Sequence, residues 1–301
     1  RRESIIKVEK TREERLNQVM AMCTADEIDD ALKKYHPDHI LDQKVELRFG
    51  PSKGLVVPRE CATLLEAKAL IDPDQIYLKE TDFETDVLII GGGGAGGSAA
   101  LWALKSGVPN DRILITTKLR MGDANTMMAQ GGMQAAAREP DSPAIHYLDV
   151  IGGGHYNNDP ELVEALVKDA PLILKWYEEL GMMWDKEEDG TMAAIHGGGT
   201  SRFRMHFAKD YSGGEMMKTL RDAVFNQEIP IIEFAPAVEL IKDDKGQVAG
   251  AVLMNLDNKE YYTVKAKTTI IATGGFGRLH IQGFPTTNHY GATFDGVVIG
   301  Y

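Results

Sequence analysis

A short apolar run followed at once by a glycine-rich run constrains the fold of this chain most strongly. Residues 86–90 end in Val-Leu-Ile-Ile and fit a buried parallel strand, and residues 91–97 are all glycine except Ala95. The alanine- and leucine-rich stretch to Lys105 predicts a helix, and residues 112–116 predict a second buried strand. Strand, helix and strand within about 30 residues make a βαβ unit. We therefore predict an α/β fold built on a parallel sheet.

In this context the glycine run is typical of a nucleotide-binding loop. Residues 91–96 match G-x-G-x-x-G between a predicted strand and a predicted helix, and glycines there let backbone amides approach a pyrophosphate. Alone, the pattern would indicate no more than a packing loop, but the βαβ context favours dinucleotide binding. The usual ribose-binding acid about 20 residues on is replaced by Thr116-Thr117-Lys118. Either no ribose is held there, or the Thr117 hydroxyl holds it.

Residues 1–81 predict a separate, helical N-terminal extension. Capping boxes begin at Thr11 and Thr24, and each predicts a short helix. Pro51, Gly54 and Pro58 mark a loop over residues 51–58, and a further helix is expected over residues 59–69. We expect this extension to be a docking segment.

Residues 82–301 predict one domain. Its later part is expected to contain helices over residues 160–181 and 215–226, an antiparallel meander of strands at 237–242, 247–256 and 261–266, and a separate buried strand at 268–272.

Composition excludes several classes of protein. The net charge of −12 argues against nucleic-acid binding, which needs a basic face. Two cysteines make no disulfide framework, which favours a reducing, cytoplasmic compartment. The eight histidines show no metal-ligand spacing, so no metal site is predicted. The weakly polar run over residues 87–104 contains too much glycine for a membrane span.

The order of the motifs resembles the flavoprotein subunit of the succinate dehydrogenase/fumarate reductase family. The similarity covers roughly residues 82–301 and leaves out the first 81. The matching segments are residues 91–96, Thr117-Lys118, and residues 125–132, 197–198, 204–213, 272–278 and 295–296.

The resemblance implies a Rossmann-type FAD-binding domain and assigns residues to the cofactor. Those near the pyrophosphate would be Gly91, Gly92, Gly93, Gly94, Ala95 and Gly96, and those near the adenosine ribose Thr117 and Lys118. Those beside the isoalloxazine would be Ala124, Asn125, Thr126, Ala129, Gln130, Gly131 and Gly132. Ala237 and the turn of Thr273, Gly274 and Gly275 would close the adenine and pyrophosphate sides, and Asp295 would hold the ribityl or phosphate side.

Two positions depart from the family pattern. Respiratory members attach the flavin covalently through a histidine, and Asn125 occupies that position here. An amide does not form that bond, so we predict non-covalent FAD, a lower flavin potential and a preference for reduction over succinate oxidation. Phe294 stands where the family has glycine, and its ring is expected to crowd the flavin or cover a channel.

The family's catalytic Arg, His and Thr motifs follow the Asp-Gly pair, and they do not occur before Tyr301. We therefore predict no catalytic residue in this chain. We expect both ends to be truncations, with the capping and catalytic domain beyond residue 301. The resemblance also implies a partner in the form of an iron–sulfur electron-transfer subunit, a small dicarboxylate-like substrate, and a cytoplasmic enzyme that partner subunits hold at a membrane.

Other functions remain open at this point. Within the same superfamily, the alternatives are L-aspartate oxidase and adenylylsulfate reductase. Outside it, the chain would be part of a nicotinamide-dependent dehydrogenase or a non-catalytic FAD electron-relay subunit. A basic cluster of His196, Arg202, Arg204 and His206 would bind a dicarboxylate or a flavin phosphate. We expect these four more simply as ordinary surface or interface groups.

Overall fold

The computed structural model describes residues 2–19, 21–35, 43–69, 71–278 and 286–301. The chain divides into two compact units, Arg1–Lys68 and Ala69–Tyr301. The smaller unit contains α1 (Arg2–Lys10), α2 (Arg12–Asn17), α3 (Ala25–Tyr35), β1 (Lys44–Glu46), β2 (Val56–Pro58) and α4 (Arg59–Leu65).

Only one of the two predicted capping boxes forms. The Thr24 amide donates to the Glu27 carboxylate at 2.8 Å, and the Glu27 amide donates to the Thr24 hydroxyl at 3.3 Å. The capping box predicted at Thr11 does not form, because α1 runs directly up to that residue, but the helix predicted after it is present as α2. The Thr11 hydroxyl therefore donates to the carbonyl oxygens of Lys7 and Val8 in the preceding turn.

A β-hairpin overlaps the predicted loop at residues 51–58, because its second strand begins at Val56. Strands β1 and β2 pair antiparallel with Val45 opposite Val57. Each strand has three residues, which is too short for an alternating pattern to be recognised. The Arg48 amide donates to Glu66 at 2.5 Å, which ties the hairpin to the end of α4.

The larger unit is a mixed α/β structure around a six-stranded sheet. Its elements are β3 (Phe83–Ile90), α5 (Gly94–Lys105), β4 (Ile113–Thr116), α6 (Asn125–Met128), β5 (Met133–Gln134), α7 (Pro143–Gly153), α8 (Pro160–Glu179), β6 (Ile195–His196), β7 (Phe203–His206), α9 (Ser212–Asn226), β8 (Ile231–Ile232), β9 (Ala237–Lys242), β10 (Val248–Met254), β11 (Tyr261–Ile271) and α10 (Asp295–Gly300). The strand order is β8-β4-β3-β11-β10-β9, parallel from β8 to β11 and antiparallel from β11 to β9.

The sheet buries side chains on both faces, as a parallel sheet requires. On one face Ile89 and Ile115 belong to the core cluster that includes Leu220 of α9. On the other, Leu88 of β3 packs in a cluster with Leu253 of β10. Each such side chain contributes about 1.5–3 kcal/mol when fully buried. This core fixes the positions of the strand ends.

Strand β11 corrects the sequence-based prediction. The segments expected as two strands, 261–266 and 268–272, form one continuous strand. Its first half pairs antiparallel with β10 and its second half pairs parallel with β3. Lys267 does not interrupt the strand, because its ammonium lies outside and contacts Asp86 at 2.9 Å. One strand therefore joins the meander to the parallel sheet.

A second, three-stranded antiparallel sheet has the order β5-β7-β6. The sequence did not predict it, because two of its strands contain two residues each. None of the helices in the described ranges has the length and hydropathy needed to cross a bilayer.

Candidate functional site

A cavity of about 490 Å³ lies at the carboxyl ends of β3, β4 and β11. Open α/β sheets bind ligands at this edge. The predicted site residues that line the cavity are Gly91, Gly92, Gly93, Gly94, Ala95, Thr117, Lys118, Ala124, Asn125, Thr126, Ala237, Thr273, Gly274 and Asp295. The predicted residues outside the lining are Gly96, Ala129, Gln130, Gly131 and Gly132.

The glycine loop packs backbone against backbone. Gly91 has φ +124°, and a Cβ there would lie 2.2 Å from the carbonyl oxygen of Ala272. A Cβ on Gly96 would lie 1.8 Å from the carbonyl oxygen of Gly91. Glycine is therefore required at both positions. Gly96 shapes the loop from beneath the cavity.

The first turn of α5 faces the cavity through Gly94 and Ala95. The first amides of a helix have no partner within the helix, and they carry the positive end of its dipole. One of them, the Gly94 amide, donates to the Thr126 hydroxyl at 3.2 Å. This arrangement suits an anionic phosphate group.

A charged cluster crosses the cavity from β4 to α10. The Lys118 ammonium forms an ion pair with Asp295 and donates to the Thr293 hydroxyl at 2.7 Å. The Thr293 hydroxyl donates to Asp295 at 3.0 Å. The side chains of Lys118 and Asp295 remain 29% and 38% exposed, so a ligand can reach both.

Asn125 lies in the same cavity and contacts the segment that precedes α10. Its side-chain amide donates to the Asn288 side-chain oxygen at 3.0 Å and accepts from the His289 backbone amide at 2.6 Å. The Gly291 amide donates to Nδ1 of His289 at 3.1 Å.

Several cavity residues were missed by the sequence analysis. They are Ile90, Thr116, Leu119, Asp123, Pro236, Ile271, Ala272, His289, Gly291, Ala292, Gly296 and Val297. Most adjoin predicted residues, and adjacency alone would have found them. His289 and Gly291 had no signal of their own in the sequence.

The segment that follows Asn125 is supported by the start of α9. The Gly213 amide donates to the Ala129 carbonyl at 2.7 Å, and the Ser212 hydroxyl donates to the Gln130 carbonyl at 3.2 Å. A Cβ on Gly132 would lie 2.2 Å from the His206 carbonyl oxygen, so β7 approaches this segment closely as well. Residues 129–131 are exposed.

The structure separates the predicted basic cluster. Arg204 and His206 are 0% and 1% exposed, so the expectation of surface or interface groups was wrong for both. Arg204 donates to both oxygens of Asp141, at 2.7 and 2.9 Å, and to Asp149 at 2.6 Å. Its guanidinium is therefore occupied within the core. His196 and Arg202 are exposed.

Burial and hydrogen bonds shift two pKa values in this buried region. Burial would raise the pKa of Asp149, but hydrogen bonds from Ser201 and Arg204 outweigh it and hold that pKa below its usual value. His206 lies between the carbonyl oxygens of Ala193 and Ala135, at 3.0 and 3.2 Å. Burial nevertheless lowers the pKa of His206.

Phe294 has left-handed backbone, with φ +71°. Glycine adopts this conformation without strain, and other residues do so at a cost. The ring packs edge-to-face on Phe276, with ring centroids 5.4 Å apart. The ring does not line the cavity in the described part of the chain. That it crowds the flavin or covers a channel stays a prediction.

The family model described as "FAD binding domain" matches residues 86–301. The chain belongs to this FAD-binding family. An uncharacterized FAD-dependent oxidoreductase of Methanocaldococcus jannaschii is 38% identical over 220 residues, which cover 72% of this chain and 39% of that protein. One subunit of the fumarate reductase (CoM/CoB) of Methanothermobacter marburgensis is 35% identical over 66% of this chain and 36% of its own length.

Among solved structures, an E. coli quinol fumarate reductase superposes with a TM-score of 0.62 at 31% identity, over 65% of this chain and 33% of that one. The chain thus spans less than two fifths of the length of the curated relatives it matches. FAD is the cofactor of the family, and the cavity fits it. Gly91 to Gly94 line the cavity without side chains, and together with the N-terminus of α5 and the Lys118 ammonium they suit an anionic dinucleotide.

Proposed function

We propose that this chain is the FAD-holding part of an oxidoreductase of the fumarate reductase/succinate dehydrogenase type. The observation that carries the proposal is the cavity itself, in which the glycine loop, the start of α5 and Lys118 converge at the strand ends. In this proposal the enzyme moves electrons between the C=C or CH–CH bond of a dicarboxylate-like substrate and an iron–sulfur subunit. The names of the curated relatives support this choice.

Each wall of the cavity has its own part in holding FAD. The backbone of the glycine loop would lie against the pyrophosphate, while the amides of Gly91 and Gly94 donate to the Thr116 carbonyl and the Thr126 hydroxyl. The Thr117 hydroxyl would take the place of the usual ribose-binding carboxylate. Ala237, Thr273 and Gly274 close the other side, and Asp295 receives the ribityl or phosphate portion. Bound FAD supplies hydride transfer and single-electron transfer. The residues of this chain bind it, orient it and limit its contact with water.

The cofactor is held non-covalently in this proposal. Asn125 occupies the family's attachment position, and both polar groups of its side chain already form hydrogen bonds within the protein. A non-covalent flavin has the lower potential of the two forms, which favours reduction of the substrate. We expect partner subunits to hold the enzyme at a membrane surface.

An assay of the full-length protein with a reduced viologen dye tests the reaction. We expect dye oxidation that depends on fumarate. Oxidation of L-aspartate without fumarate reduction would instead indicate an L-aspartate oxidase, and reduction of adenylylsulfate an adenylylsulfate reductase. Flavin without turnover of any of these would favour an electron-relay subunit.

A binding titration tests the cofactor against the nicotinamide alternative. We expect at least about a tenfold preference for FAD over NAD, because the acid that grips an NAD ribose is absent after β4. Equal or tighter binding of NAD would overturn the flavoenzyme assignment.

A further inference from the structure

We propose that Asn125 is a positioning residue that clips the cofactor cleft shut over non-covalent FAD. Its side-chain amide joins the cavity wall at residues 124–126 to residues 286–296, here named the strap. The inference rests on the proposed non-covalent FAD site and extends it. In this chain the residue at the attachment position holds the cleft together instead of holding the flavin by a bond.

The amide of Asn125 uses both of its polar groups on the strap. It donates to the Asn288 side-chain oxygen at 3.0 Å and accepts from the His289 backbone amide at 2.6 Å. The two partners stand 163 and 164 positions away in the sequence. These are therefore tertiary contacts between two separate walls.

Asn288 is held in the orientation that this contact needs. Its side-chain nitrogen donates to the Thr286 hydroxyl at 2.9 Å, which directs its oxygen towards Asn125. A Cβ on Gly277 would lie 2.3 Å from Cγ of Asn288, so Asn288 packs directly on the backbone there. Because the orientation of Asn288 is fixed, the group at position 125 must donate a hydrogen bond to its side-chain oxygen.

The strap is also joined to the cavity wall at Lys118, which follows β4. Lys118 reaches Asp295 and the Thr293 hydroxyl from the end of β4. Between the two ties the strap approaches closely, since a Cβ on Gly291 would lie 3.1 Å from Cδ1 of Leu119. Residues of the wall and of the strap line the cavity together. A ligand in the cavity would therefore leave more easily once a tie is broken.

Substitutions at the clip form a graded series. Asn125→Ala removes both hydrogen bonds. Asn125→Asp keeps an acceptor for the His289 amide but places an oxygen against the Asn288 oxygen. Asn288→Ala removes one contact and leaves the other. The expected order of effect is Asn125→Ala, then Asn125→Asp, then Asn288→Ala.

The test measures FAD binding and release by flavin fluorescence in the full-length protein, together with amide hydrogen exchange in the strap without added FAD. Asn125→Ala should speed release about tenfold. It should also speed binding and increase exchange in the strap, because the closed state is lost. Adding Asn288→Ala to Asn125→Ala should change little further, since both act on one contact. Asn110→Ala is the matched control, because Asn110 also donates its amide to a distant carbonyl, that of Gln227 at 3.0 Å, but outside the cavity.

Two other results would overturn the proposal that Asn125 joins the cavity wall to the strap. Faster release with unchanged binding rate and unchanged strap exchange would mean that Asn125 only touches FAD. Additive effects of the Asn125 and Asn288 substitutions would mean that they do not act on a common contact. If flavin stays with acid-precipitated wild-type protein, the non-covalent proposal fails, and exchange in the strap still decides whether Asn125 joins the two walls.

Discussion

Two clusters in the larger unit each pair a basic side chain with at least one carboxylate, and they differ in how far they are buried. In the Arg204 cluster, Arg204, Asp141 and Asp149 have side chains that are 0%, 3% and 19% exposed, and the guanidinium has carboxylate partners on both sides. In the Lys118 cluster, Lys118 and Asp295 are 29% and 38% exposed and line the cavity with room beside them. The first cluster holds chain segments together, and the second faces a ligand.

The difference follows from desolvation. A buried charge is tolerated only when it is fully paired, and removing one partner leaves the other stranded at high cost. A partly exposed pair contributes little to stability by itself, because water screens it. Its groups therefore remain available to a bound anion or hydroxyl. Both clusters are held by ion pairs, and the degree of burial decides which of them supports the fold and which faces a ligand.

The largest effect is expected from Arg204→Met. It leaves Asp141 and Asp149 without their cation, and we expect a loss of about 3–5 kcal/mol in the free energy of unfolding. Urea denaturation followed by tryptophan fluorescence measures it. Arg202→Met, at an exposed neighbour, should stay within about 0.5 kcal/mol. Equal effects of the two substitutions would remove the distinction between the clusters.

Gly96→Ala should weaken FAD binding indirectly, by displacing the glycine loop that lines the cavity. The new Cβ would lie 1.8 Å from the Gly91 carbonyl oxygen, so the glycine loop must move. We expect a cost of about 1–3 kcal/mol and at least about a tenfold loss of FAD affinity. Calorimetric titration measures the affinity. Gly152→Ala is the control and should bind FAD normally, because Gly152 lies in helix α7 with no described residue within 4 Å of its Cβ. Normal binding by Gly96→Ala would contradict the loop geometry.

Lys118→Met should affect FAD and leave stability almost unchanged. We expect about a tenfold weaker FAD affinity and a smaller dependence of that affinity on salt, with less than about 1 kcal/mol lost from the folded state. Lys168→Met removes a surface pair with Glu164 and should change neither property. A loss of stability as large as that of Arg204→Met would place Lys118 in the scaffold.

The sequence predicted the strand-helix-strand unit because its signals are local. An apolar run, a glycine turn and an alanine-rich helix are all recognisable within residues 86–116. The burial of Arg204 depends on Asp141 and Asp149, which stand 63 and 55 positions away. No local pattern distinguishes such an arginine from an exposed one.

The candidate site shows the same limit. The sequence identified the wall made by the glycine loop and residues 117–126, where motifs are continuous. From residues 286–296 it identified only residues 294–296, because the hydrogen bonds of Asn288 and His289 to Asn125 arise from folding alone. The continuity of β11 was missed because its neighbours change halfway along, from β10 to β3.

The pH dependence of stability should report on the surroundings of the Arg204 cluster. Burial, aided by the charge of Arg204, lowers the pKa of His146, which is 3% exposed. A histidine in the unfolded chain has a pKa near 6.5, so as the pH falls the unfolded state takes up the proton first. Stability should therefore decrease below about pH 6.5. His146→Met should make that decrease shallower in urea denaturation between about pH 7 and about pH 5. An unchanged slope would mean that His146 does not contribute to it.

The smallest effect is expected beside the Lys118 cluster, at Phe294. Its left-handed backbone strains any residue except glycine. Phe294→Gly should therefore be more stable than Phe294→Ala by about 1 kcal/mol, since both lose the ring and only one keeps the strain. Thermal unfolding compares the two variants. A more stable alanine variant would contradict the left-handed backbone at this position.

The most direct test of the central claim, that this cavity holds FAD without a covalent bond, is a visible absorption spectrum before and after acid precipitation. The purified full-length protein should show flavin bands, and these should move to the supernatant when the protein is precipitated. Flavin that stays in the pellet would contradict the claim, because a covalent bond would then have to join it to a residue other than Asn125.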